Sequence, residues 1–193
     1  MKTRSYTMST RAHSVRATGE RILKAALARF STDYYDDVTL DAIAADAGVT
    51  VQTVMRRFGS KEGLARTLTE STVASVTAQR AEAPAGDVAG AIANLIEHYE
   101  QVGDLAMLLL RQEERVPPIA ETTTIGKRVH LDWVTRVFAP WLDEMSNPGR
   151  ELLHAQLTAT CDVYTWYLLR RQAGLSRDRT QQALTELVKG VLP

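Results

Sequence analysis

Apolar side chains recur every three to four positions along almost the whole sequence, and no stretch shows the strict alternation of apolar and polar residues that strands require. The first segment with this helical spacing has Thr18 as a candidate N-cap, which predicts a helix over about 18–32. The spacing i, i+3, i+4, i+7 is carried there by Leu23, Ala26, Leu27 and Phe30. The pattern therefore predicts an all-α protein.

Two short helices with well-marked ends follow this segment. Thr39 can cap the first, and Gly48 can end it in the left-handed conformation. Thr50 can cap the second, which Gly59 ends, and Ser60 can cap the helix after it. Two short helices joined at a glycine are the sequence form of a helix-turn-helix, whose second helix enters a DNA groove.

The rest of the chain is divided by turn signals at 82–87, 116–118, 146–149 and 173–176. Pro140 should kink or split the run that contains it, because proline removes one backbone donor and clashes with the preceding turn. The predicted helical runs are about 61–81, 88–114, 119–145, 150–173 and 177–191. We divide the chain into a flexible basic arm (1–17), a helix-turn-helix DNA-binding domain (18–62) and a larger helical domain (63–193).

Charge is distributed unevenly although the net charge is zero. Residues 1–70 hold eleven basic and eight acidic residues, whereas residues 71–193 hold twelve and fifteen. A basic excess in one segment favours a local anionic partner. The single cysteine, Cys161, cannot form an internal disulfide, and the longest apolar run is far too short to cross a bilayer, so we expect a cytoplasmic protein.

The second short helix meets both demands of a recognition helix. Val54 and Phe58 form its inner face, and the opposite face is polar and cationic. Gln52 is the best candidate for reading a base, since its amide can pair with adenine, and Val51 can pack on a thymine methyl group. The remaining candidate DNA contacts, mostly to phosphate, are Thr39, Thr50, Thr53, Arg56, Arg57 and Lys61. A solvated corner of a helical bundle would show a similar pattern.

The segment from Arg21 to Leu64 resembles the DNA-binding domain of the TetR family of bacterial transcriptional regulators. The resemblance covers about a quarter of the chain, and it is specific because the motif residues occur in the family's order and at the family's spacing. The matching residues are Ile22, Leu23, Ala25, Ala26, Phe30, Thr39, Ile43, Ala44, Ala47, Gly48, Val49, Thr53, Phe58, Ser60, Lys61 and Glu62. It implies a homodimer that binds operator double-stranded DNA.

Two positions depart from the family pattern. Met55 stands where the family usually has tyrosine, and it cannot donate a hydroxyl hydrogen bond to phosphate. Arg57 stands where the family often has histidine, and its permanent charge could compensate. The basic arm could add minor-groove contacts or be a plain tail; its basic residues are Lys2, Arg4, Arg11 and Arg16.

The resemblance also implies that the larger domain binds a small-molecule effector and forms the dimer. Aromatic side chains with scattered polar tips suit a mainly apolar effector, and His130 is the best candidate for a polar contact with it. The candidate pocket residues, each of which could equally be core, are Tyr99, Met107, Leu110, His130, Trp133, Val137, Trp141, Cys161, Tyr164 and Trp166. The candidate dimer interface, which could also be core, is Leu184, Leu187, Val188 and Val191.

We expect no enzyme activity, no metal and no cofactor. The candidates for an enzyme would be Cys161 as a nucleophile or His98, His130 and His154 as acid-base or metal groups, but the histidines lack ligand spacing. The favoured function is a repressor released from its operator by an effector. The alternative is a protein of the same fold that acts through a protein partner or binds DNA without an effector.

Overall fold

The computed structural model describes residues 4–193, with side chains from residue 13 onward. Every secondary-structure element in this part is a helix or a helical turn, which confirms the all-α prediction. None of these helices is long and apolar enough to cross a membrane. The α-helices are α1 (Arg4–Phe30), α2 (Leu40–Ala47), α3 (Val51–Phe58), α4 (Lys61–Ala81), α5 (Val88–Leu110), α6 (Pro117–Val137), α7 (Ala139–Leu142), α8 (Asn147–Thr160), α9 (Val163–Tyr167) and α10 (Arg177–Val191). The chain divides into two compact units, Met1–Glu70 and Ser71–Pro193.

Helix α1 begins at Arg4, well before the predicted start near residue 18. The hydroxyl of Thr18 donates to the carbonyl of Ser14 at 2.9 Å, so Thr18 lies inside the helix and is not its N-cap. Because no proline precedes Thr18 in the sequence, the helix can extend back toward the N-terminus. In the predicted arm over 1–17, residues 4–17 are therefore helical, while residues 1–3 lie outside the described part.

The first unit has the short helices and the caps that the sequence predicts. The side chain of Thr39 accepts a hydrogen bond from the Ala42 amide at 3.2 Å, and Thr50 does the same for Thr53 at 3.2 Å. Gly48 ends α2 in the left-handed conformation, with φ of 64°. The core beneath these caps is formed mainly by Ile22, Ala26, Phe30, Ile43, Ala44, Val54 and Leu64.

The second unit is built around α5, which packs against α6, α9 and α10. The run predicted over 119–145 is split, since α6 ends at Val137 and α7 starts just before Pro140. Proline fits the first turn of α7, where its missing N–H has no intrahelical acceptor. The core contains Ile92, Leu95, Ile96, Tyr99, Met107, Trp133, Phe138, Leu142, Leu157, Trp166, Leu184 and Val188.

The run predicted over 150–173 is also divided. Helix α8 ends at Thr160, and Asp162 caps α9 because its carboxylate accepts a hydrogen bond from the Tyr164 amide at 2.9 Å. A π-helical turn, Leu168–Gln172, then closes with a bond from the Ala173 amide to the Leu168 carbonyl at 2.8 Å. Cys161 consequently lies at the end of α8 rather than in the middle of a helix.

Candidate functional sites

Helix α3 presents the polar face that the sequence predicts. Gln52 and Arg56 are exposed, and Met55 keeps 44% of its surface accessible. Val54 is fully buried and Phe58 is half-buried on the opposite side. An exposed amide near the N-terminal end of a helix, with an exposed cation one turn later, is a suitable arrangement for contacts with base edges and phosphate.

The N-termini of α2 and α3 add further donors. Thr39 and Thr50 are exposed cap residues, and the other amides of the first turn of each helix have no intrahelical acceptor. The hydroxyl of Thr50 also lies 3.0 Å from that of Thr53. Because amides and the helix dipole favour negative charge, these two helix ends can hold phosphate oxygens.

Arg57 has a structural contact that the sequence prediction missed. Its Nη1 donates to the carbonyl of Val15 at 2.9 Å, and its guanidinium lies 5.7 Å from the centre of the Phe58 ring. A Cβ atom added at Gly19 would overlap the guanidinium, so this glycine is what allows Arg57 to reach α1. Arg57 joins α3 to α1, although its other N–H groups can still be donated.

Lys61 is likewise held inside the first unit. Its ammonium donates to the carbonyl of Tyr35 at 2.8 Å and to that of Val38 at 2.9 Å. The same nitrogen lies 4.3 Å from the centre of the Tyr35 ring. Two hydrogen bonds and a cation–π contact fix the loop before α2 to the start of α4, so the predicted phosphate ligand has a structural role here.

Most of the predicted pocket residues are buried in the core of the second unit. Tyr164 is the exception, because half of its surface is exposed. Leu110 and Trp141 are half-buried and pack against the core. The buried members are Tyr99, Met107, His130, Trp133, Val137, Cys161 and Trp166.

The sequence prediction missed Arg80, which lies among these residues with only 5% of its surface exposed. Its guanidinium carbon is 5.5 Å from the centre of the Tyr99 ring and 5.3 Å from that of Trp133. Its Nη1 lies 3.4 Å from Nδ1 of His130, whose Nε2 is 3.1 Å from the Thr158 carbonyl. Arg80 Nε and Trp133 Nε1 are both buried without a hydrogen-bond acceptor.

The environment of Arg80 offsets only part of the free energy of burying its charge. Burial of an ion costs several kcal/mol even after relaxation, and arginine cannot lose its proton. Each desolvated cation–π contact contributes about 2 kcal/mol or more, and each unpaired donor adds a penalty of about 1–3 kcal/mol. Among the described side chains, none places a carboxylate within ion-pair distance of Arg80.

Four titratable groups around Arg80 are neutral near pH 7. Burial, with the positive charge of Arg80, lowers the pKa of His98 to about 3, and burial also lowers the pKa of His130. Burial raises the pKa of Cys161 to about 12 and that of Tyr99 to about 12. The acid in this neighbourhood is Asp162, whose carboxylate caps α9.

The other enzyme candidates do not form a reactive group. Cys161 is fully buried, and a thiol with a raised pKa is a poor nucleophile. His154 lies on α8, where its Nε2 is 2.9 Å from the hydroxyl of Thr135. Within the described residues, no three His, Cys, Asp or Glu side chains are grouped so that they could hold a metal ion.

Of the four residues predicted for the dimer interface or the core, two lie in the core. Leu184 and Val188 are fully buried in the core of their own unit, because this face of α10 packs against α5 and α8. Val191 is half-buried against the same core. Leu187 remains available with 46% of its surface exposed, and Leu152 on α8, which the prediction did not include, is 62% exposed.

Comparisons with known proteins agree with this architecture. Residues 22–68 match the model of bacterial regulatory proteins of the tetR family. A transcriptional regulator from Rhodococcus sp. Rha1 is similar over 90% of this chain and 95% of its own, at 19% identity and a TM-score of 0.69. No match was found among curated proteins.

Two further structures with the same fold were solved with ligands. FadR from Bacillus subtilis in complex with stearoyl-CoA has a TM-score of 0.69 at 16% identity, covering 90% of this chain and 99% of its own. SmeT in complex with triclosan has a TM-score of 0.67 at 20% identity, covering 90% of each chain. At these identities the similarity establishes a shared fold.

Proposed function

Since the chain belongs to the tetR family of bacterial regulatory proteins through its residues 22–68, we propose that it is a homodimeric repressor released from operator DNA by a small-molecule effector. The observation that carries this proposal is the outer face of α3. There Gln52 and Arg56 are exposed on a helix held by the Thr50 cap and by the buried Val54. This combination provides both base reading and phosphate binding.

In the proposed complex, Gln52 reads a base edge and Val51 packs beside it. Arg56 and the exposed hydroxyls of Thr39 and Thr50 bind phosphate, and Thr53 lies in the same turn as Thr50. The two recognition helices of a dimer must reach half-sites about 34–36 Å apart. A displacement that changes this spacing lowers the affinity for the operator.

The proposed dimer uses the outer faces of α8 and α10. Leu152 and Leu187 are large apolar side chains that their own unit leaves exposed. Helices that pair with their symmetry mates bury such side chains in a self-complementary interface. Leu184 and Val188 support this surface from the core beneath it.

The proposed effector acts on the second unit, where FadR and SmeT provide the precedent of regulators of this fold with bound ligands. Helix α4 belongs to both units, since it begins at Lys61 and includes Arg80 near its end. A ligand that alters the surroundings of Arg80 therefore acts on the helix that follows the recognition helix. This continuity is the physical basis of the proposed release.

A second candidate function is a protein of this fold that acts through a protein partner or binds DNA without an effector. The observation in its favour is Met55, which is exposed where the family usually has tyrosine. The lost hydroxyl contact would weaken phosphate binding by about 1 kcal/mol. Exposed methionine is instead common at surfaces that bind protein partners.

The test is fluorescence anisotropy with labelled DNA from the region upstream of the coding sequence, at about 0.15 M salt, with scrambled DNA as competitor. We expect sequence-preferring binding that Gln52→Ala relaxes by about 1–3 kcal/mol of base discrimination. Gln182→Ala is a matched control, because Gln182 is exposed on α10 in the other unit. If the wild-type protein shows no sequence preference at this salt concentration, the repressor proposal is wrong.

A further inference from the structure

We propose that the second unit binds an organic monoanion, a carboxylate attached to an apolar body, whose charge is held by Arg80 and Trp133. The inference rests on the proposed function, since it assigns the chemical class of its effector. Two buried donors without acceptors, Arg80 Nε and Trp133 Nε1, carry it. Both side chains are more than nine-tenths buried.

The two donors belong to one cluster. The guanidinium carbon of Arg80 lies 5.3 Å from the centre of the Trp133 ring, so both N–H groups are in the same part of the core. A carboxylate has two oxygens and can accept one hydrogen bond from each donor. Such bonds with an ionised acceptor and a charged donor are stronger than bonds between neutral groups.

The surroundings favour a single negative charge on the ligand. The guanidinium of Arg80 supplies one positive charge, whereas His98, His130, Tyr99 and Cys161 are uncharged near pH 7 because burial disfavours their charged forms. The carboxylate of Asp162 accepts a hydrogen bond from the Tyr164 amide at the start of α9, where the positive end of the helix dipole partly offsets its charge. A monoanion balances one guanidinium, while a dianion such as a phosphate monoester would bring one uncompensated charge into the core.

The rest of the ligand faces an apolar and aromatic environment. Tyr99 and Trp133 flank the guanidinium, and Met107, Phe138 and Trp166 belong to the same core. Ligand sites in proteins commonly combine such walls with a small number of polar groups. Because Arg80 Nε and Trp133 Nε1 are shielded from solvent, binding of the anion requires that surrounding side chains move.

The position of Arg80 links the ligand to helix movement. Its backbone carbonyl accepts a hydrogen bond from Nη2 of Arg136 at 2.6 Å, which ties the end of α4 to α6. Nη1 of Arg136 donates to the carbonyl of Ala83 at 2.6 Å, just beyond the same helix. A ligand that separates these elements therefore changes the hydrogen bonds that fix the end of α4.

The experiment compares acids with their uncharged amides on the full chain at pH 7.5. The probes are indole-3-acetate with indole-3-acetamide, phenylacetate with phenylacetamide, and decanoate with decanamide, each at millimolar concentration. We expect at least one acid to raise the melting temperature and to bind at least about tenfold more tightly than its amide by calorimetry. Arg80→Gln should reduce that preference below about twofold, and Arg80→Lys should retain part of it.

Two further variants keep the test independent of a folding defect. Trp133→Phe removes the Nε1 donor and keeps an aromatic ring, and we expect it to weaken the acid more than the amide. Arg177→Gln is the matched control, because Arg177 is an exposed arginine of the same unit paired with Glu97, and it should leave the preference unchanged. Without ligand, the Arg80→Gln variant should have a melting temperature no lower than that of the wild type, because the substitution removes a buried charge that has no carboxylate partner.

Three results would overturn the inference: no acid of the panel binds, the amides bind as tightly as the acids, or folded Arg80→Gln retains the full preference. DNA binding is measured on the same samples without ligand. If the protein binds its operator and no acid binds, this inference fails and the proposed DNA-binding function stands. If an acid binds through Arg80 and no operator binding occurs, the proposed function fails and the anion site stands without a regulatory role.

Discussion

Replacing Lys61 by methionine separates a structural role for this lysine from a role in DNA binding. Methionine retains an unbranched side chain and a similar helix propensity, so the change removes mainly the ammonium group. The wild-type ammonium donates to the carbonyls of Tyr35 and Val38 and lies over the Tyr35 ring. The variant leaves these two carbonyls without that charged donor.

The expected loss of stability follows from these three contacts. A hydrogen bond from a charged donor contributes about 1.5–3 kcal/mol, and the cation–π contact adds about 0.5–1 kcal/mol. Lys61 is only half-buried, so water can partly replace the ammonium at both carbonyls. We therefore expect Lys61→Met to reduce the free energy of unfolding of the first unit by about 2 kcal/mol, a fall in melting temperature of about 8–16 °C for a unit of this size.

The assay is urea and thermal denaturation followed by circular dichroism, combined with DNA-binding isotherms at several salt concentrations. Arg56→Met is the matched control, because Arg56 is an exposed cation on α3. It should leave stability unchanged and lower the salt dependence of DNA binding. If Lys61→Met keeps the wild-type melting temperature while it lowers the salt dependence as Arg56→Met does, then Lys61 is a phosphate ligand and its carbonyl contacts are energetically irrelevant.

Three other substitutions test contacts described above. Gly19→Ala should stabilise the chain by about 1 kcal/mol only together with Arg57→Ala, because a Cβ atom there overlaps the Arg57 guanidinium; equal effects in both backgrounds, measured by urea denaturation, would argue against the contact. Leu187→Asp should convert a dimer to a folded monomer in light scattering, whereas Leu184→Asp should unfold the second unit; a dimeric Leu187→Asp would exclude this interface. The pKa of His98 is lowered to about 3 by burial, so the unfolded chain binds the extra proton and stability falls as pH drops below about 6.5; His98→Gln should flatten that fall in acid titrations, and an unchanged slope would refute the assignment.

The parts of the fold that the sequence predicted are those specified by local chemistry. The caps Thr39 and Thr50 act within one turn of their own helix, and the same is true of Gly48. The start of α1 was wrong because Thr18 has the side chain of a cap but forms its bond to the preceding turn. The break at Asp162 was missed because no glycine or proline marks it, and it depends on the cap that Asp162 provides to the Tyr164 amide.

Among the candidate site residues, too, those determined by local sequence could be predicted and those determined by distant contacts could not. Gln52 and Arg56 could be assigned to the outer face of α3 because helical periodicity alone separates them from Val54. Arg80 could not be found in this way, since arginine is almost always exposed and its burial depends on rings that come from α5 and α6. The partner of Arg57 on α1 is equally distant in sequence.

The structural use of Arg57 and Lys61 changes what DNA binding by this protein should look like. If Arg56, Arg57 and Lys61 all neutralised phosphates, the three would contribute six contacts in a dimer, and a slope of about −5 in a plot of log K against log salt. With Lys61 bound to Tyr35 and Val38, Arg56 and the remaining N–H groups of Arg57 are available to phosphate, and the contribution falls to about −4. The amides at the starts of α2 and α3 then supply a larger share of the phosphate contacts, and because these amides are uncharged, their contacts release few counterions. Affinity should consequently depend more on the fit between helix ends and backbone, and a change in half-site spacing disrupts that fit directly.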